Sequence, residues 1–592
     1  MLIRLRRLVM IAIAVLFLAL SGAMVAPLRQ MQVEYDLTNE PLKGVNPGIA
    51  LATTALGAFR GIIVDIVWIR MEQLIQEGKF FEIVQLADLA CKLAPRFPEV
   101  WDFNAWYMAY NVSVQIPQLE ERWAWVKKGI ELLRQDAIPN NPTVPESYFT
   151  LGFIYMHKVG GELDESHFWY KQELGLEMHE VLGGSGSREE LVRLASAPRT
   201  RRELLQDAQV RTLYDQLVAQ GFDPLREEQG GSALAFFTWV RRPDSVPSGA
   251  RTILEAPENK DAFAQLATFA RARRLEQMHL EPEKMIALGD EFGPFDWRSP
   301  YPHAMYWGKQ GLEVASRYRA RLAERRKRFG LSELGEEFWE RDRPASYHDI
   351  KCDRIIYGAL QNLVTRGRLL YDSRGNVLPM MGPDYRFTDA MIRYFQRVNA
   401  LYGENWLYFH GIKGAYQNFL IRASTEFFYM GDEPAARRYH QLLQKEFPSE
   451  DSRVPFDQFI TTQLTEYVEH LGPDECRSLA RGLLQQSYFY TGAGADDRAE
   501  PLYRRTQALL EQWKVDKKGG TLRVRVDFDQ VKESALLDIF AGRAGFPQEV
   551  IEGLRKRLRP EDVRILEEAV KRQKEQEPGK PMEVEEDLKR FE

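Results

Sequence analysis

Gln76–Trp101 reads QEGKFFEIVQLADLACKLAPRFPEVW, and the architecture follows from it. Gly78 interrupts a helical pattern with the residue that turns most freely between two antiparallel helices. Ala90 is small enough to let two helix backbones approach. Pro95 has no N–H to donate, so the second helix ends there. Trp101 then opens another helix. The stretch therefore predicts a helical hairpin followed at once by the start of a second. Cys91 falls on the packing side of the hairpin and is expected to be a buried thiol.

The same grammar recurs downstream. The second unit opens with WDFNAWYMAY at Trp101–Tyr110, is interrupted at Pro117, resumes over about Leu119–Gln135 and stops near Pro142. A third opens with Tyr148, Leu151, Gly152 and Tyr155. Far from these, Leu420–Pro448 carries Phe427, Gly431, Ala436 and Pro448 at aromatic, turn, small and terminating positions.

These residues resemble the tetratricopeptide repeat (TPR): glycine at the turn, alanine at the helix contact, proline at the end, and the W-x2-L-G-x2-Y opening with Tyr148 in place of Trp. The match departs from the family at Ile83 and Ala87. Gly160-Gly161 fall one residue late, and the step from Trp101 to Tyr148 exceeds the roughly 34-residue period by about 13 residues.

The resemblance implies an all-α solenoid of helical hairpins whose ligands lie against the first helix of each repeat. Carried over position by position, the lining residues are Asp65, Trp68, Glu72 and Ile75 in the first repeat, and Glu99, Asp102, Trp106 and Ala109 in the second. The third gives Glu146, Phe149, Phe153 and Met156. Of these, Trp68, Glu72, Asp102, Trp106, Phe149, Phe153 and Met156 are the expected partner-binding residues. Trp, Phe and Met in a groove suit an apolar helix or extended segment, although solenoids also cover such residues with their own chain. The Lys and Asn residues with which resembling co-chaperones clamp a terminal carboxylate are missing.

At the amino end, Arg4, Arg6 and Arg7 precede the uncharged run Leu8–Pro27. That run is long enough to cross a bilayer with its positive flank inside. Residues 8–27 are expected to anchor the chain in the inner (cytoplasmic) membrane as a single pass, with the body periplasmic. A cleaved signal peptide, with Ser21-Gly22-Ala23 as the small-residue site, gives the same address. Gly48–Ile69 is also apolar, but Arg60 and Asp65 would each cost about 2.5–3.5 kcal/mol near a bilayer centre. It is expected to be a buried first helix of the solenoid.

The chain divides into an anchor or signal peptide (1–29), a linker (30–47), a repeat block (48–182), a divergent helical region (183–300), a second helical block (301–515) and a C-terminal strand, helices and charged tail (516–592). Gly183–Ser187, GGSGS, reads as a flexible joint. Glu291–Tyr306, EFGPFDWRSPYPHAMY, reads as an irregular aromatic connection. Thr521–Phe528 alternates with period two and predicts a strand.

The 592 residues carry a net charge of −6 and only three cysteines, Cys91, Cys352 and Cys476. Neither a disulfide framework nor a nucleic-acid partner is expected. The basic run Arg317–Arg328 is answered by the acidic Glu333–Glu340. HExxH, the phosphate loop and the GxSxG elbow do not occur. His157 and His167 have no Cys companions for a metal. Glu146-Ser147 resembles the catalytic pair of lytic transglycosylases, but Tyr148 already opens a repeat and the downstream segment of that family is missing. The chain assigns no catalytic, cofactor-binding or metal residue. The leading expectation is an exported, membrane-anchored scaffold for proteins of the cell envelope. A glycan-active helical enzyme, with Phe292–Tyr306 stacking sugars and paired carboxylates 5–9.5 Å apart, is the alternative; an accessory subunit of a membrane complex is the third reading.

Overall fold

The computed structural model describes residues 59–227, 234–328, 347–371, 377–382, 384–402, 410–429, 432–448, 453–468, 473–516, 526–542 and 544–576, with isolated positions before 59. The run Leu8–Pro27 therefore falls, but for those isolated positions, outside the described residues, as do Glu333–Glu340 and Gly431. Among the described residues no helix is long and apolar enough to cross a membrane. Among the described residues the protein is all-α apart from one two-stranded sheet, and the chain forms two compact units, Met1–Arg96 and Phe97–Glu592.

The first unit holds the hairpin of α1 (Phe59–Glu77) and α2 (Phe80–Leu93). Gly78 takes φ +69°, and the Gly78 and Lys79 amides donate to the carbonyls of Ile75 and Leu74 at 3.1 and 3.0 Å. This is the Schellman closure that needs a left-handed residue. Val64, Val67, Met71 and Leu74 repeat at helical spacing and are buried, as are Ile83, Val84, Ala87, Ala90 and Cys91 on α2. The expectation of a buried first helix is corrected on its other side: Ile62, Ile66 and Ile69 are 55–61% exposed. One stripe of α1 satisfies the hairpin, and the second stripe has no role in it.

In the second unit, α3 (Pro98–Trp106) continues into a π-helical turn at Tyr107–Val112. Helix α4 (Leu119–Leu132) does so at Leu133–Ala137, and α5 (Glu146–Phe153) at Ile154–Val159. Glycine sets the spacing. A Cβ on Gly129 of α4 would lie 2.7 Å from the Ala105 carbonyl oxygen, so only hydrogen fits between α4 and α3. Helix α6 (His167–Leu182) returns beside α4, with Trp123 and Tyr170 5.9 Å apart.

The element that packs next on α5 is not its sequence neighbour. Residues 183–227 and 234–299 form a lobe that includes α7 (Arg188–Ala195), α8 (Lys260–Gln277) and α9 (Pro282–Phe292). The long α10 (Pro300–Arg328) then packs on α5 and pairs with α11 (Tyr347–Arg366). Gly152 is the contact: a Cβ there would sit 3.2 Å from the Ala304 carbonyl oxygen and 3.1 Å from Ile355.

Two expectations are corrected by this lobe. GGSGS is an ordered connection, since Gly183 (φ +76°) ends α6 and Ser187 caps α7 in a reciprocal box with Glu190. The Trp297 amide donates to the Ser185 carbonyl at 2.8 Å. The aromatic connection is irregular only from Gly293 to Ser299, because Pro300 opens a helix at a position where its missing N–H costs nothing.

Beyond α11, β1 (Arg368–Tyr371) and β2 (Val377–Gly382) pair antiparallel. Helices α12 (Thr388–Tyr402), α13 (His410–Tyr429) and α14 (Glu433–Glu446) follow. Phe427 meets Tyr439 edge-on at 5.0 Å beside the fully buried Ala436. The expected strand at Thr521–Phe528 is corrected at its described end. Val526 is buried coil, and Asp527 caps the helix Phe528–Phe540 by accepting from the Asp529 and Gln530 amides. A cap at this position competes successfully with the strand pattern.

Candidate interaction face

Three of the seven expected residues meet on the open side of α3 and α5. Trp106, at the end of α3, stacks on Tyr110 (4.2 Å, 22°) and on Phe153 of α5 (5.4 Å, 24°). Phe153 stacks in turn on His157 (4.9 Å, 14°) and lies 5.9 Å from Phe149. The Tyr110 hydroxyl meets His157 Nδ1 at 3.2 Å. Burial, then the neighbouring Lys158, holds the His157 imidazole below its ordinary value. The face is thus a ladder of aromatic rings. Its outermost ring, Trp106, is 40% exposed, and Phe149 and Phe153 are half-buried.

The π-turns explain why Tyr110 and His157 belong to the ladder although the repeat positions omit them. An α-helix turns every 3.6 residues, so four-residue steps drift around it. The wider i→i+5 turns begin just after Trp106 and just after Phe153, and bring Tyr110 and His157, each four residues on, closer to line with them. Their four-residue aromatic spacing was the available signal.

Met156 is half-buried and lies outside the ladder: a Cβ on Gly358 of α11 would lie 2.7 Å from its sulfur, so it packs toward that helix. Ala109 is fully buried. Trp68 (39% exposed) and Glu72 lie on the surface of α1 in the first unit, one helical turn apart.

Asp102 stands one turn before Trp106, against α5. Its Oδ1 is sealed from solvent and accepts no hydrogen bond. Burial raises its carboxyl most. The Ser147 and Thr150 hydroxyls pull the other way and the charges of Glu146 and Glu99 push it up again, with the outcome at about 7. Two carboxylates thus act on a third that burial leaves ill-solvated, one helical turn from Trp106. Lys351 supplies a cation on the far side, 5.2 Å over the Phe149 ring.

The acid residues behind this face are arranged differently. Asp164 accepts from Lys158 Nζ at 2.5 Å, from the Tyr170 hydroxyl at 3.1 Å and from the Ser166 amide at 2.9 Å, and pairs with Arg122 at 3.1 Å. Burial pushes its carboxyl up, but Lys158, Ser166 and Arg122 together hold it below the ordinary carboxylate value. Glu177, with Lys127 at 2.9 Å and Arg274 at 3.0 Å, is likewise drawn down against burial, to about 2.

The aromatic segment expected to stack sugars is core: Phe292, Phe295, Trp297, Tyr301 and Tyr306 are at most 6% exposed. Beside it lies a cavity of about 820 Å³. Its floor is the stacked pair Phe295–Phe387 (5.2 Å, 15°). The carboxylates Asp290, Asp296 and Asp384 on its wall are held by Arg188, Arg298 and Arg386 at 3.1, 2.8 and 2.6 Å. Such forks leave these acids committed to arginine. His157 and His167 face Tyr110 and Lys171 respectively, and among the described residues no group of three His, Cys, Asp or Glu could hold a metal ion. No family model, no curated protein and no solved structure matches the chain.

Proposed function

We propose that the protein is an exported, membrane-anchored scaffold of TPR-like helical hairpins that binds other proteins during assembly of a cell-envelope complex. The observation that carries this reading is the aromatic ladder Trp106–Tyr110–Phe153–His157, half-open to solvent on the first helices of adjacent hairpins. Large rings fixed by stacking lose little entropy when a partner covers them, and Trp and Tyr dominate the energetics of protein interfaces. Glycine contacts hold the helices that carry them at fixed spacing, which is the preorganisation a docking surface needs. The arginine-flanked run 8–27 supports the address.

The test is photo-crosslinking in intact cells. A crosslinking residue at Phe153 should give a discrete adduct with a membrane or envelope protein, absent when the same residue stands at the exposed Thr212 on the lobe. Indistinguishable adducts at the two positions would sink the docking role. A carboxyl-terminal reporter active in the cytosol would sink the proposed address.

A further inference from the structure

We infer that the segment received by the α3–α5 face is a protein segment carrying a lysine or arginine beside apolar side chains. The cation would sit over Trp106 and be neutralised by Asp102 with Glu99 and Glu146. This rests on the docking role proposed above and specifies the partner's chemistry.

The argument is one of charge complementarity. Asp102 has a carboxylate oxygen that is closed to water and receives no hydrogen bond. The strongest charges acting on it, Glu146 and Glu99, are both negative. An ionised carboxylate in that position is costly until a cation arrives. Elsewhere in the same unit the buried acids Asp164 and Glu177 are matched by cations of this chain. Next to Asp102 stands Trp106, 40% exposed and fixed by its stacks on Tyr110 and Phe153. Carboxylate and indole together fit an ammonium or guanidinium on an aliphatic stem: the ring face attracts the cation, the stem covers the ring, and the acid compensates the charge. The carboxylates Glu99 and Glu146 repel an anionic bilayer surface, which favours a protein segment over lipid as the occupant.

The test is selection of a displayed random peptide library on the immobilised full-length chain, followed by measured affinities for the wild type, Asp102→Asn and Trp106→Ala. Selected peptides should carry Lys or Arg within an apolar stretch. Replacing that residue by norleucine should weaken binding at least tenfold on the wild type and little on Asp102→Asn. Trp106→Ala should weaken the peptides with and without the cation. Asp102→Asn keeps the shape of the side chain, and its melting temperature at the assay pH verifies that it is folded.

Neutral or acidic peptides that need Trp106 but ignore Asp102→Asn would overturn the inference while leaving the docking role intact. Peptides indifferent to Trp106→Ala would overturn both. Concentration-dependent self-association of the wild type that Asp102→Asn abolishes would assign the face to a second copy of this chain and overturn the foreign partner.

Discussion

Asp164 and Asp102 belong to neighbouring hairpins of one unit, yet their surroundings are opposite. Asp164 is enclosed by Lys158, Arg122, Tyr170 and the Ser166 amide, whereas Asp102 faces Glu99 and Glu146 and keeps one oxygen unbonded. Both are shielded from water, so burial alone does not separate them. What differs is the sign of the neighbouring charge. It drives the first carboxyl below its ordinary range and the second up to about 7. A matched buried acid holds helices together; a mismatched one weakens the fold when it ionises.

The largest effect should come from emptying the matched site. Asp164→Ala would leave Lys158, whose side chain is 4% exposed, as an uncompensated buried charge beside Arg122. The expected loss is about 3–5 kcal/mol in denaturant unfolding at neutral pH. The pH dependence follows from the sign of the shift. Asp164 has a depressed native value, so its contribution is present above its unfolded value of 3.8 and lost as pH falls through the native one. A variant as stable as wild type would remove the contrast altogether.

Asp102 should behave in reverse. Its native value of about 7 exceeds the unfolded 3.8, so stability is full below pH 3.8 and declines as pH rises toward 7. Asp102→Asn removes the ionisation and should therefore gain about 4 kcal/mol over wild type at pH 8 and almost nothing at pH 4. Unfolding curves at the two pH values decide it; an equal difference at both would mean that Asp102 is not held protonated by its surroundings.

A finer test trims one bond of the matched site without leaving a charge unpaired. Tyr170→Phe removes only the hydroxyl that donates to Asp164 at 3.1 Å, while Lys158 and Arg122 remain. The expected loss is about 1.5 kcal/mol, typical of a hydrogen bond to a charged group. A loss as large as that of Asp164→Ala would show that the ion pairs depend on the tyrosine.

How far these sites could be read from the sequence depends on the distance over which their physics acts. The turn at Gly78 is local, and so is the stop after Leu93; the residues that enforce them stand in the stretch itself. Gly152 stood out in the sequence as the glycine of a repeat opening, although its partner Ala304 lies more than a hundred residues on, where no local pattern points to it. Trp106, Phe149 and Phe153 came from repeat positions that assume an α-helical period. The same assumption missed Tyr110 and His157, because the π-turns change the period where the ladder forms. The belt around Trp297 reads like a binding surface in composition, but burial is a tertiary property and made it core. The β-hairpin 368–382 had only a turn-like segment at 372–376 to announce it, with Pro379 inside the second strand. Asp102 and Asp164 look alike in the sequence because Arg122 and Glu146 reach them from other helices.

The smallest expected effect on stability is also the one that separates folding from docking. Trp106 is 40% exposed and its ring rests on Tyr110 and Phe153. Trp106→Ala should therefore cost about 1 kcal/mol in stacking beyond the transfer of the part of the ring that is covered, measured by the same unfolding curves. Binding should respond far more, because an aromatic anchor at the centre of a contact commonly costs 2 kcal/mol or more when truncated, about thirtyfold in affinity. A residue that stabilises the monomer by more than it contributes to a complex is core that happens to reach the surface. If Trp106→Ala unfolds the chain as Asp164→Ala is expected to, the ladder is structural and the contrast between the two aspartates has no bearing on partners. If it leaves the fold intact and removes the selected peptides, the exposed ring beside the mismatched acid is the part of this unit that faces outward for a purpose.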